Sequence, residues 1–150
     1  IHRRVLSEAL AEGANVALPS VELPDAPAGI RDRSYCIALD DIRDTIVPRL
    51  SDQQAAVKAK GMARLIKWWR AIERYGPGFN AVEKSELEKT LGKEFNDHAA
   101  AWSAFREAVA AGRIEKDRAI ILCNAHEMRE AALMADAMGG LAATKFAALE

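Results

Sequence analysis

The feature that most constrains this chain is an apolar periodicity of three and four residues that runs from Leu39 almost to the last residue. Such spacing places apolar side chains on one face of an α-helix. No segment shows sustained alternation of β-branched residues, and the 30 alanines favour helix and allow helices to approach closely. The sequence therefore predicts an all-α protein, a bundle of four to five helices with an irregular N-terminal arm.

Proline and glycine divide the chain into two predicted parts. Residues 3–12 predict a short helix that Gly13 closes in the left-handed conformation. Regular structure then breaks at three closely spaced prolines, Pro19, Pro24 and Pro27. We therefore interpret residues 1–37 as a short helix plus an arm or linker, and residues 38–150 as the helical bundle domain. The scattered apolar residues of the arm predict that it lies against a surface, most simply that of its own domain.

Capping and breaking residues predict where the helices of the bundle begin and end. Pro48 kinks or ends the first helix, and a capping box of Ser51 and Gln54 begins the longest one. The sequence Gly76-Pro77-Gly78 is expected to end that helix near Tyr75. Asn96 or Asp97 is expected to cap the helix that follows. The boundaries predicted after Tyr75 are 80–92, 96–112, 117–139 and 141–149.

Charge and composition exclude several classes of function. The net charge is -1, which predicts no general attraction to nucleic acid, and no stretch approaches the 18 apolar residues of a membrane span. The two cysteines, Cys36 and Cys123, form no C-x-x-C pair, which indicates a reducing, cytoplasmic setting. No glycine-rich phosphate loop occurs, so no cofactor is predicted.

The one local charge anomaly is a cationic stripe along the longest helix. Helical spacing places five cations on one arc, opposite apolar residues at 62, 65, 66, 69 and 72. This row is either a solvated face or an anchor for an acidic partner or a phosphorylated ligand. Trp68 lies at the edge of the stripe, where it either packs in the core or anchors an interface. The residues predicted to bind a partner or phosphate are Lys60, Arg64, Lys67, Trp68, Arg70 and Arg74.

A possible reactive group lies on the last long helix. The segment 126–130, HEMRE, begins like the zinc-protease motif H-E-x-x-H but ends in Glu130, which loses the second imidazole. Cys123 and His126 are neighbours on that helix, yet two ligands do not make a metal site. We interpret Cys123, His126 and Glu130 as a semi-exposed polar face, with metal or thiol chemistry as the alternative, and we predict no catalytic residue.

The order of motifs between Leu39 and Met138 resembles a family of small helical accessory proteins. These are encoded beside aminoglycoside-phosphotransferase-like hydroxyacyl-CoA kinases and acyl-CoA dehydrogenase-like enzymes. The resemblance implies a noncatalytic subunit that binds a phosphotransferase-like kinase, and it carries no catalytic residue onto this chain. The matching segments are IRDTIVPRL (42–50), AAVKAKGMARLI (55–66), LGKEFND (91–97), FREAVAAGRIEKD (105–117) and MREAALMADA (128–137).

Three hypotheses for function follow from these observations. The first is a cytoplasmic, noncatalytic accessory subunit that binds and supports a larger kinase-like enzyme of hydroxyacyl-CoA metabolism. The second is a self-associating helical module that buries the apolar edge at Trp68 between copies. The third is a small metal or thiol protein that uses Cys123 and His126.

Overall fold

A computed structural model describes residues 2–139 of the chain. Within this range the chain forms five α-helices and no β-strand, which confirms the predicted all-α class. None of these helices is both long enough and apolar enough to cross a bilayer. The helix predicted at 141–149 lies outside the described residues. The observed helices are α1 (His2–Gly13), α2 (Asp32–Asp40), α3 (Gln53–Leu91), α4 (His98–Ala110) and α5 (Lys116–Met138).

The described chain divides into two compact units, and each consists of segments that are distant in sequence. The first unit contains residues 2–24 and 77–132, that is α1, the second part of α3, α4 and most of α5. The second unit contains residues 25–76 and 133–139, that is α2, the first part of α3 and the last turns of α5. Two of the helices, α3 and α5, therefore contribute to both units.

Glycine ends two helices at the predicted positions. Gly92 after α3 and Gly112 after α4 have φ angles of 64° and 66°, which only glycine adopts without strain. Helix α1 differs from its prediction, because Asn15 takes the left-handed conformation in place of Gly13. The amide of Val16 donates to the carbonyl of Ala11 at 2.9 Å and closes the end of α1. Asparagine tolerates this conformation, so Gly13 is the last residue of the helix and the left-handed turn lies two residues after it.

Aspartate caps the start of two helices. Asp97 accepts a hydrogen bond of 2.8 Å from the amide of Ala100, which confirms its predicted role at the start of α4. At the start of α3, Asp52 accepts a hydrogen bond of 2.8 Å from the amide of Gln54. The predicted capping box with Ser51 is therefore wrong, because the neighbouring carboxylate is the stronger acceptor for the free amides.

Helix α3 passes through the sequence that was expected to end it. The prediction of a helix end near Tyr75 is wrong, since Pro77 lies inside a continuous helix of 39 residues. A proline in a helix interior costs about 3 kcal/mol, so other interactions must offset the lost hydrogen bond. Phe79, two residues after Pro77, is buried. Burial of large side chains beyond Pro77 stabilises the helix where local propensity would end it.

Helix α2 begins earlier than the apolar periodicity predicts. It begins at Asp32 and passes into one wider π-helical turn, Asp41–Ile46, before a 3-10 turn that contains Pro48. The aspartate at its start forms a salt bridge with Arg70 on α3. This pairing lies 38 residues away in sequence, so no local pattern could reveal it.

Residues 25–31 of the predicted arm lie against α3, as expected for an arm that packs along its own domain. Arg74 Nε donates to the carbonyl of Ala26 at 2.8 Å, and Glu73 accepts a hydrogen bond from the amide of Arg31. Gly29 allows this approach, because a Cβ at that position would lie 2.9 Å from side-chain carbons of Glu73.

The hydrophobic core of the first unit lies where α3, α4 and α5 meet. Leu87, Ala101, Phe105 and Leu122 are buried together in this core. The face that α5 buries carries Leu122, Ala125 and Arg129, whereas Ala135 is exposed. An arginine in this face breaks the apolar pattern, and the carboxylates of α3 explain why it is buried there.

We expect Phe105→Ala to lower the free energy of unfolding by about 3 to 5 kcal/mol, because it leaves a cavity in this core. Phe105 is only 1% exposed. Val109→Ala is the matched control on the same helix, since Val109 is 39% exposed and its loss should cost less than about 1 kcal/mol. Urea unfolding followed by circular dichroism measures both values, and equal losses would contradict the core described above.

Candidate functional site

Part of the cationic stripe borders a groove of about 540 Å³ in the second unit. Three segments form this groove: the end of α2 with the turns after it, the first part of α3, and the last turn of α5 with Gly139. On α3 the small side chain of Ala63 lies between longer cationic neighbours, which leaves space open beside the helix. The lining residues from α3 are Lys60, Ala63, Arg64 and Lys67.

The groove combines an apolar wall with charged side chains. Large apolar side chains reach it from the α2 segment and from the end of α5, while Lys60 and Arg64 come from α3. Pockets of this kind suit ligands with an apolar body and a few fixed polar groups. The large apolar residues of the lining are Leu39, Ile42, Val47 and Met138.

The cations of the groove differ in whether a carboxylate neutralises them. Lys67 Nζ lies 3.1 Å from Asp136 Oδ1, and Arg43 lies 2.9 Å from Asp40 and 2.6 Å from Asp44. Lys60 and Arg64 are exposed, and within residues 2–139 neither has a carboxylate oxygen within 4.0 Å. Among the described residues, these two side chains are therefore the cations of the groove that no carboxylate neutralises.

The other two cations of the predicted stripe have structural partners. Arg70 donates two hydrogen bonds to Asp32, at 2.5 Å and 3.1 Å, and this pair holds the pKa of the Asp32 carboxyl below its usual value. Arg74 donates to the carbonyl of Ala26, and its guanidinium lies 5.0 Å from the ring centre of Tyr75. Both arginines therefore hold the second unit together, and the groove brings together only the first three cations of the stripe.

The apolar side predicted for α3 is mostly exposed. Of its five residues Ile66 is half-buried, while Met62, Leu65, Trp69 and Ile72, which we name the apolar stripe, are exposed. Trp69 is 48% exposed, whereas Trp68 is half-buried and its indole nitrogen has no contact with solvent. The face of α3 that packs in this unit carries Ala59, which is buried. The apolar periodicity alone therefore does not identify the packed face in this part of α3.

A second cluster of polar side chains lies in the first unit around Glu83. The Glu83 carboxylate is 3% exposed and accepts hydrogen bonds from His98 Nε2 at 2.6 Å and Trp102 Nε1 at 2.9 Å. His126 Nδ1 lies 3.1 Å from both carboxylate oxygens, and Arg129 Nη1 lies 3.4 Å from one of them. We name these five residues the Glu83 cluster.

The Glu83 cluster joins one buried anion to donors from two other helices. Burial raises the pKa of Glu83, but hydrogen bonds from His126, His98 and Trp102 outweigh it and hold the pKa at about 2. The hydrogen bond between Glu83 and His126 also raises the pKa of His126, although the partial burial of His126 acts in the opposite direction. A buried carboxylate with several charged or polar donors is an ion-pair network, and removing one partner leaves charge uncompensated.

The alternative of metal or thiol chemistry was based on Cys123, His126 and Glu130. The structure separates them, since His126 faces Glu83 while Cys123 and Glu130 are exposed. The exposure of these residues fits the semi-exposed polar face, since the His126 side chain is 31% exposed, but the contact of His126 with Glu83 was not predicted. Across residues 2–139, no group of three or more His, Cys, Asp or Glu side chains is arranged to hold a metal ion.

Sequence reasoning missed Glu83 because the expected break at Pro77 placed it in the first turn of a new helix that was predicted to begin at residue 80. One signal was available: Phe79, Glu83 and Leu87 follow each other at a spacing of four residues. In a continuous helix this spacing places a charged residue within an apolar stripe, where it requires a buried partner.

The Glu83 cluster makes stability depend on pH at both ends of the range. The lowered pKa of Glu83 contributes stability above pH 4.5 that is lost as the pH falls towards about 2. The raised pKa of His126 contributes stability that is complete below pH 6.5 and is lost as the pH rises above it. We expect the free energy of unfolding to be highest between these values and to fall by about 2 kcal/mol between about pH 5.5 and about pH 3.

Urea unfolding at about pH 3, 5.5 and 8 tests this expectation, with Glu83→Gln as the comparison. The variant should be less stable at intermediate pH, and its stability should vary less with pH than that of the parent protein. A variant that retained the pH dependence of the parent would contradict the assignment to Glu83.

The chain was compared with protein-family models, with curated proteins and with solved structures. No family model matches the chain, and neither a curated protein nor a solved structure matches it. The roles of the groove, the apolar stripe and the Glu83 cluster are therefore derived from the contacts described above.

Proposed function

We propose that this protein is a noncatalytic accessory subunit that docks on a larger kinase-like enzyme of hydroxyacyl-CoA metabolism through the apolar stripe of α3. The observation that carries the proposal is the exposure of that stripe. Met62 is 59% exposed and Trp69 48%, and Leu65 and Ile72 are exposed with them. Large apolar side chains that lie together at a protein surface are typical of interaction sites.

The spacing of the stripe indicates the kind of surface that covers it. Its four members follow each other at intervals of three, four and three residues, which aligns them along one side of α3. This is the repeat that a helix presents to a partner helix or to an apolar groove. Trp69 near the middle is the expected anchor, because tryptophan contributes strongly to binding when its ring is buried.

A cationic side chain, Lys58, lies at one end of the apolar stripe. It precedes Met62 by four residues and therefore lies on the same side of α3, where it is exposed. Among the described residues no carboxylate is within 4.0 Å of its ammonium group. We expect the partner surface to be an apolar groove with a carboxylate at one end. The identity of the partner as a phosphotransferase-like kinase is based on the sequence resemblance.

Copurification from native cells tests the proposal directly. The tagged chain should bring down a phosphotransferase-like enzyme, and size-exclusion chromatography with light scattering should give the mass of a complex of the two. Trp69→Ala should weaken the complex by about 30-fold or more, because it removes the anchor of the interface.

Val82→Ala is the matched control, since Val82 is an exposed apolar residue of α3 that lies away from the stripe. Its complex should bind with the parent affinity, and circular dichroism should show the same helix content for both variants. A chain that stays monomeric in extracts containing its natural partners would refute the proposal. A homo-oligomer that dissociates on Trp69→Ala would replace it with the self-associating module.

A further inference from the structure

We infer that the groove of the second unit binds a single-chain amphiphile with an anionic head group, such as a medium-chain alkyl carboxylate. This inference is independent of the docking proposed for the apolar stripe, because the groove and the stripe use different residues of α3. It is based on the apolar wall of the groove, on the two uncompensated cations beside it, and on the size of the cavity.

The apolar wall selects the body of the ligand. Ile42, Val47 and Met138 contribute side chains that neither donate nor accept conventional hydrogen bonds, and they come from two separate segments of the chain. A sugar or nucleoside placed against them would lose hydrogen bonds to water without replacement. An alkyl chain gains from the same contact, and each methylene it buries raises the affinity about fourfold.

The cations select the head group. Lys60 and Arg64 are four residues apart on α3, so their charges lie on the same side of the helix and repel each other. The carboxylate of Asp136, which also lines the groove, is already bonded to Lys67, while Asp40 and Asp44 pair with Arg43. An anion between Lys60 and Arg64 would relieve their repulsion and gain charge-assisted hydrogen bonds.

The size of the groove limits the ligand to a small molecule. Its volume of about 540 Å³ lies within the range of about 300 to 1,000 Å³ that small-molecule sites show. A single alkyl chain of about ten carbons with its head group suits a cavity of this size, whereas a folded protein surface would require a larger contact.

The methionine methyl groups provide a site-specific readout of binding. The chain has four methionines, of which Met138 lines the groove, Met62 belongs to the apolar stripe and Met128 lies in the first unit. Titration of the ¹³C-methyl-methionine protein with decanoate, below its micelle concentration, should shift the Met138 signal in a saturable manner. The signals of Met62 and Met128 should stay in place. Equal shifts at Met62 and Met138, or no shift at Met138, would overturn the inference.

Charge variants and related ligands test the head group. Arg64→Gln should weaken decanoate binding about fivefold, and Lys89→Gln, which removes an exposed cation of α3 in the first unit, should leave it unchanged. Decyl phosphate should bind in the same site, which would identify the anionic charge as the shared requirement. Decanol that bound as tightly as decanoate would overturn the anionic assignment. Acetate or inorganic phosphate that bound as tightly as decanoate would overturn the role of the alkyl chain.

Discussion

The buried carboxylate of Glu83 joins the three long helices of the first unit. It lies on α3 and accepts hydrogen bonds from His98 and Trp102 on α4 and from His126 on α5. A buried carboxylate without hydrogen-bond donors would be strongly unfavourable. The donors on α4 and α5 therefore hold these helices in the arrangement in which Glu83 is fully hydrogen-bonded. The ring of Trp102 also packs edge-on against Phe105, at 5.4 Å between ring centres, so the polar cluster and the apolar core share a boundary.

The two parts of helix α3 differ in which side chains they bury, and a simple amphipathic pattern does not show this difference. Beyond Pro77 it buries Phe79, Glu83 and Leu87, as a core helix does. Before Pro77 the apolar stripe is exposed, while Ala59 is buried and Trp68 is half-buried. A row of large apolar side chains at the surface of a helix is the arrangement expected of a docking element.

The cations of α3 show a similar division of roles. Arg70 and Arg74 hold the aspartate at the start of α2 and the backbone of the arm, so their charges stabilise the unit itself. Lys60 and Arg64, about two to four turns earlier, have no such partner among the described residues and border a groove with apolar walls. The arm hydrogen-bonds to α3 at Glu73 and Arg74, near the middle of the helix. Charges that a fold does not neutralise are available to a ligand.

The all-α class and several helix ends could be predicted from the residues alone, because both depend on local chemistry. Periodicity predicted α-helix, Gly92 and Gly112 predicted helix ends through their φ angles, and Asp97 predicted a cap through its carboxylate. Three features could not be predicted in this way: α3 continues through Pro77, Met62 and Trp69 are exposed, and Glu83 contacts His126. Each of these depends on contacts between residues far apart in sequence, whose energies exceed the local preferences that a pattern records.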